Sequence, residues 1–168
     1  MPRVVLIHPE IPPNTGNIAR TCAATGTELH LVEPLGFEIS DRQLRRAGLD
    51  YWPLVPLHRH GDVEAFLQER QRRGGRMLAL SARSNGTIWD FSFAESDWLL
   101  FGRESDGLPD ALMATADACL SIPMRPREDP QGRTVRSLNL SVAAGVVLFE
   151  AVRQLQTAAP QRVSRHQC

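Results

Sequence analysis

The sequence predicts a single α/β domain: a mostly parallel sheet flanked by helices. Short apolar runs at residues 3–7, 77–80 and 98–101 have the length and composition of buried strands. Segments in which small and apolar residues recur at helical spacing separate them. Strands alternating with helices imply parallel pairing, with a ligand expected at the carboxyl ends of the strands.

In chain order, the strand at 3–7 stops at His8-Pro9. After Pro12-Pro13, Asn14-Thr15 supplies an N-cap pair for a helix carrying Ile18, Ala19, Cys22, Ala23 and Ala24, which Gly26 ends. Residues 28–32 alternate as a second strand. Ser40-Asp41 caps a short helix with Arg42, Arg45 and Arg46 on one face, stopping at Gly48. A strand is predicted over 53–57, and Asp62 opens a helix that runs through Phe66 to about Arg73 before Gly74-Gly75. Pro109 stands at the start of a helix to about Ala116. Residues 118–122 are the last strand, 125–135 a polar loop, and 139–155 a final helix with small residues on its first turns. Residues from about 157 to 168 are expected to form a flexible tail.

Composition narrows the class. Apolar residues at 42% and charged residues at 23% are globular values, so neither disorder nor a fibre is expected. The longest apolar stretch, 142–149, is far too short to cross a bilayer, and Met1-Pro2-Arg3 leads into the first strand without a secretory cleavage pattern, so a cytoplasmic protein is expected. Cys22, Cys119 and Cys168 lack disulfide or zinc spacing and read as free thiols. His58-Arg59-His60 offers two imidazoles, but no Cys or carboxylate stands beside them at ligand spacing, and no metal is expected. Net charge is zero, which argues against binding nucleic acid through a broad positive field but leaves room for local arginine patches. Every basic residue is Arg and none is Lys, a bias that suits bidentate phosphate contacts and equally suits a GC-rich genome.

Three clusters could carry chemistry. The first is Pro9-Glu10-Ile11-Pro12-Pro13-Asn14-Thr15-Gly16-Asn17-Ile18-Ala19-Arg20, with amides and an Arg where a strand turns into a helix. A rigid proline loop with an ordinary N-cap accounts for the same residues. The second is Phe101-Gly102-Arg103-Glu104-Ser105-Asp106-Gly107-Leu108-Pro109, directly after a strand. Its glycines permit close approach to a ligand or simply a tight turn. It is neither a Walker A loop nor a dinucleotide fingerprint. The third is Ser121-Ile122-Pro123-Met124 followed, beyond the loop, by Arg136-Ser137-Leu138-Asn139-Leu140-Ser141; Ser137 or Asn139 can cap the final helix.

In this order the three clusters resemble the motifs of the SpoU/TrmH branch of the SPOUT superfamily of RNA 2′-O-methyltransferases, and the resemblance spans the whole chain. With almost no extension at either end, the chain is most similar to compact members that methylate the wobble cytidine or uridine, position 34, of leucine tRNAs. The resemblance implies a C-terminal trefoil knot, an exception to the rule against knots, and a homodimer. It implies S-adenosylmethionine as methyl donor, held by Leu80, Gly102, Glu104, Ile122, Ser137 and Leu138, with tRNA as substrate. Arg20 and Asn139 match the positions given catalytic roles. Arginine stays protonated below about pH 12, so Arg20 is expected to stabilise developing negative charge rather than act as a base. Arg42, Arg45 and Arg46 are candidate RNA contacts, as is the 83–85 stretch. The 125–135 loop is longer than in compact relatives, and Arg125, Arg127 and Arg133 are either further RNA contacts or part of a mobile loop. A non-catalytic RNA-binding module and a nucleotide-dependent enzyme are the rival readings; intact motifs disfavour the first and the missing phosphate loop the second.

Overall fold

The computed structural model describes residues 1–37, 52–125 and 128–158. The segment predicted as an arginine-bearing helix with Arg42, Arg45 and Arg46, together with Arg127 and most of the expected tail, lies outside the described residues.

Seven strands form one sheet: β1 Arg3–Ile7, β2 Leu29–Val32, β3 Leu57–His60, β4 Met77–Leu80, β5 Gly86–Thr87, β6 Trp98–Phe101 and β7 Ala118–Ser121. Their order is β3-β2-β1-β6-β4-β7-β5, and every pairing is parallel. Four helices complete the described fold: α1 Pro12–Thr25, α2 Val63–Arg73, α3 Asp110–Ala114 and α4 Leu140–Ala158.

Alternation along each strand sorts the core into two layers. Val4 and Leu6 of β1 join Leu78, Leu99 and Leu120 against Ile18 and Cys22 of α1 and Val147, Leu148 and Ala151 of α4. Val5 and Ile7 point to the other face, where Trp98 and Leu100 meet Phe66 of α2 and Leu112 of α3. Burial pushes the Cys22 thiol up to about 12, so it acts as a core residue and not a nucleophile.

Two predicted elements differ. The strand expected over 53–57 is a 3-10 turn at Trp52–Leu54 followed by β3 at Leu57–His60. Pro53 and Pro56 have no N–H to give a ladder, and pairing begins where Leu29 N–H donates to the Pro56 carbonyl at 3.0 Å. Helix α1 begins at Pro12, so Asn14 and Thr15 are buried in its first turn and Ile11 takes the N-cap position without a side-chain cap. Prolines are preorganised for the first helical turn, which moves the start two residues ahead of the amide. The two-residue β5 left no pattern to read in the sequence.

Asp62 caps α2 as expected, its carboxylate accepting from Ala65 N–H at 2.7 Å. Glu64 in the first turn and Arg70, Arg72 and Arg73 in the last complement the helix dipole. Asp62→Ala is expected to lower stability by about 1 kcal/mol, read as a lower urea midpoint with unchanged slope; an unchanged midpoint would mean that the cap contributes nothing.

Candidate active site

The three sequence clusters follow β1, β6 and β7, so all three emerge at the carboxyl edge of the sheet, where β1, β6, β4 and β7 are neighbours. Side-chain bonds then lock them together. The Glu104 carboxylate accepts from the backbone N–H of Glu10 at 2.9 Å, from that of Ile11 at 3.3 Å and from Asn14 Nδ2 at 3.0 Å. Helix α1, which has no acidic residue in its own first turn, therefore receives its negative charge from a residue more than ninety positions away. Asn14 passes the connection on: its Oδ1 accepts from Asn139 Nδ2 at 2.9 Å. Asn139 in turn caps α4, its Oδ1 accepting from Ser141 N–H at 2.8 Å. One chain of bonds, Glu104 to Asn14 to Asn139, thus ties the second cluster to the first and the first to the third.

A reciprocal tie runs beside it. Ser105 donates both its N–H and its hydroxyl to the Glu10 carboxylate, each at 3.1 Å. Arg103 donates to His8 Nδ1 at 3.1 Å, and burial, then the Arg103 charge, hold the His8 pKa below its usual value, which keeps that nitrogen an acceptor. Arg103 and Gly107 exchange backbone hydrogen bonds that close a tight turn. Gly102 is required there, because a Cβ would stand 2.0 Å from the Gly107 carbonyl carbon and 2.1 Å from Leu108 N. The close approach the glycine permits is with its own chain.

The residues expected around the methyl donor separate into two groups. Leu80, Gly102 and Ile122 end or follow three adjacent strands, and the register that pairs Leu80 with Leu120 and Ala79 with Leu100 brings them level on one edge. Leu80 and Ile122 are only partly buried against the core. Ser137 and Leu138 are exposed immediately before α4. Glu104 is bonded to the start of α1. Arg20 is exposed two turns into α1. The 83–85 stretch follows β4 at the same edge, and the Ser84 hydroxyl there is buried without a hydrogen-bond partner. Arg133 is tied to Asp129 at 2.6 Å in a small turn of the 125–135 loop. Asn14 and Glu10 stood in the first cluster, Asn14 read as a helix cap, but their bonds to Glu104, Asn139 and Ser105 had no signal in the sequence. The two prolines ahead of Asn14 were the available signal that it lies inside the helix.

A second polar cluster lies on the other face of the sheet. Glu28, next to β2, accepts from both terminal nitrogens of Arg73 at 2.6 and 2.8 Å. It also faces His30 Nε2 at 3.3 Å, His58 Nε2 at 3.4 Å and Arg3 at 3.8 Å. Parallel register places His30 beside His58, so the sheet supplies the carboxylate that local spacing around His58 lacked. His30 Nδ1 meets His60 Nε2 at 2.9 Å. Burial, then the neighbouring His58, pushes the His30 pKa down to about 3, while the Arg73 hydrogen bonds hold Glu28 at about 2. The unfolded chain therefore binds a proton at His30 that the fold refuses between pH about 6.5 and about 3. The stabilisation is complete above pH 6.5 and is lost as pH falls through this window, at up to about 1.4 kcal/mol per pH unit. Glu28 adds a further loss below its unfolded value near 4.5. Urea midpoints should fall steadily from pH 7 to pH 4; a level profile would show that His30 titrates normally in the fold.

A parallel sheet with three polar loops locked together at its carboxyl edge is the place where α/β domains bind their ligands. The chain belongs to the SpoU rRNA methylase family, whose model matches residues 1–149. It is 46% identical over 153 residues to the Burkholderia cenocepacia tRNA (cytidine(34)-2'-O)-methyltransferase, covering 90% of this chain and 94% of that one. A solved structure described as giving insights into the 2-OH methylation of C/U34 on tRNA is 50% identical and superposes with a TM-score of 0.83, covering 94% of this chain and 97% of that one. The SpoU methyltransferase AviRb from Streptomyces viridochromogenes in complex with AdoMet is 26% identical with a TM-score of 0.76, covering 94% of this chain and 61% of that one.

Proposed function

We propose that this chain transfers the methyl group of S-adenosylmethionine to the ribose 2′-hydroxyl of nucleotide 34 in tRNA, with leucine tRNAs as its substrates. The observation that carries the reading is the Glu104–Asn14–Asn139 connection, which fixes all three motif loops at the edge where Leu80, Gly102 and Ile122 converge. These residues fit the donor: the half-buried Leu80 and Ile122 and the exposed Leu138 offer apolar surface to an adenine, and the loop backbone and Ser137 offer polar groups. When bound, the donor supplies an electrophilic methyl on a positively charged sulfur. The work left to the protein is alignment and charge. Methyl transfer forms the O–CH3 bond, breaks the S–CH3 bond and releases the hydroxyl proton. Arg20, permanently cationic, stabilises the oxygen as it loses that proton or steers an RNA phosphate that accepts it. Asn139, held by Asn14, orients the third loop toward the donor.

The enzyme works as a homodimer in the cytoplasm. Val142 and Phe149 stand two turns apart on one face of α4 and are 51% and 54% exposed, an apolar stripe suited to a second copy. None of the described helices is long and apolar enough to cross a membrane. The C-terminal segment forms a trefoil knot. This rests on the 81–97 connection, which pairs β5 with β7 and reaches α4 where Phe93 N–H donates to Gln154 at 3.0 Å.

Individual leucine isoacceptors purified from cells lacking the gene test the substrate. Methylation of these and not of other tRNAs is the expected result; equal methylation of all tRNAs would remove the leucine assignment while keeping the chemistry.

A further inference from the structure

We infer that Glu28, His30 and His58 form a binding site for a divalent transition-metal ion that clamps edge strand β3 to β2, apart from the methyl-transfer site. One ligand atom from each residue lies within 4.8 Å of the other two. The Glu28 Oε2 to imidazole Nε2 separations of 3.3 and 3.4 Å match the ligand-to-ligand spacing of about 3.4 Å in a tetrahedral site with bonds near 2.0–2.2 Å. His30 and His58 stack with centroids 4.5 Å apart, so the half-exposed His58 ring must tilt for both lone pairs to converge.

The outer partners of such a site are already in place. A metal on His30 Nε2 leaves the ring proton on Nδ1, which then donates to His60 Nε2 across the existing 2.9 Å contact. Glu28 keeps its Oε1 bond to Arg73 at 2.8 Å while Oε2 turns to the ion. An open groove of about 670 Å³, lined by His58, His60, Gln68 and Glu69 among others, borders the His58 side of the site, and a water entering there supplies the fourth ligand. Imidazole and carboxylate together suit Zn2+ or Co2+. Arg3 at 3.8 Å and Arg73 oppose the incoming charge, with Glu69 at 3.9 Å from Arg73 a partial offset, so binding is weaker than in a structural zinc site.

Titration of the untagged full chain with Co2+ tests the site. One equivalent should bind with the visible absorption of tetrahedral Co2+, Zn2+ should displace it, and His58→Ala should weaken binding by at least about tenfold. His58 is 45% exposed on its side chain, so the variant keeps its fold, which circular dichroism checks. Glu28→Gln should abolish the tetrahedral spectrum if it folds. The absence of saturable Co2+ binding by the wild-type chain, or undiminished binding by His58→Ala, overturns the inference.

Discussion

Arg20→Ala should lower the rate of methyl transfer by about 10²–10³-fold, the usual loss when one donor to a developing oxyanion is removed, with the affinity for S-adenosylmethionine unchanged. The reason is charge and position. A ribose hydroxyl is a weak nucleophile, so its oxygen gains negative character as the proton leaves, and a guanidinium stabilises that state more than the neutral alcohol. Arg20 is exposed on α1, and circular dichroism with a urea midpoint separates a loss of rate from a loss of fold in the variant. Arg20→Lys keeps the charge and loses the planar fork, and should fall between the two. Single-turnover rates at saturating donor and tRNA separate chemistry from binding. Near wild-type turnover in Arg20→Ala with unchanged tRNA affinity would remove Arg20 from the chemistry.

Glu104→Ala should cost about 2 kcal/mol of stability and at least 100-fold in turnover together. Its carboxylate is the acceptor for Glu10 N–H, Ile11 N–H and Asn14 Nδ2, and removing it takes the acceptor from the two N–H groups that lead into α1 and frees Asn14 to release Asn139. The two effects are linked because the residue that stabilises the helix also sets the third loop. Glu104→Gln keeps one acceptor oxygen and should recover part of both. A residue acting only by direct contact with the methyl donor would give the opposite split: activity lost, urea midpoint unchanged.

Much of the fold was legible because two periodicities were clean. The apolar runs at 77–80 and 98–101 became β4 and β6 as read, and Asp62 and Gly74 bounded α2 where capping chemistry placed them. Failures came where local signals competed. Asn14 has the chemistry of a cap, yet Pro12-Pro13 had already opened the helix, and the carboxylate at the helix entry, Glu104, comes from a loop that meets α1 only after β1 and β6 pair. Spacing alone could not bring Glu28 to His58, since register between β2 and β3 makes that contact. The candidate site was legible as three clusters that meet at one edge, and the resemblance supplied the roles expected of them. What no local pattern contains is the Asn14 bridge that holds the first and third motifs together.

Labelled S-adenosylmethionine incubated with tRNA lacking the position 34 methyl, followed by digestion and nucleoside identification, tests the central claim most directly. Label is expected in 2′-O-methylcytidine or 2′-O-methyluridine released from position 34. Label on a base, label at another position, or no transfer to tRNA by protein shown to bind the donor would contradict it.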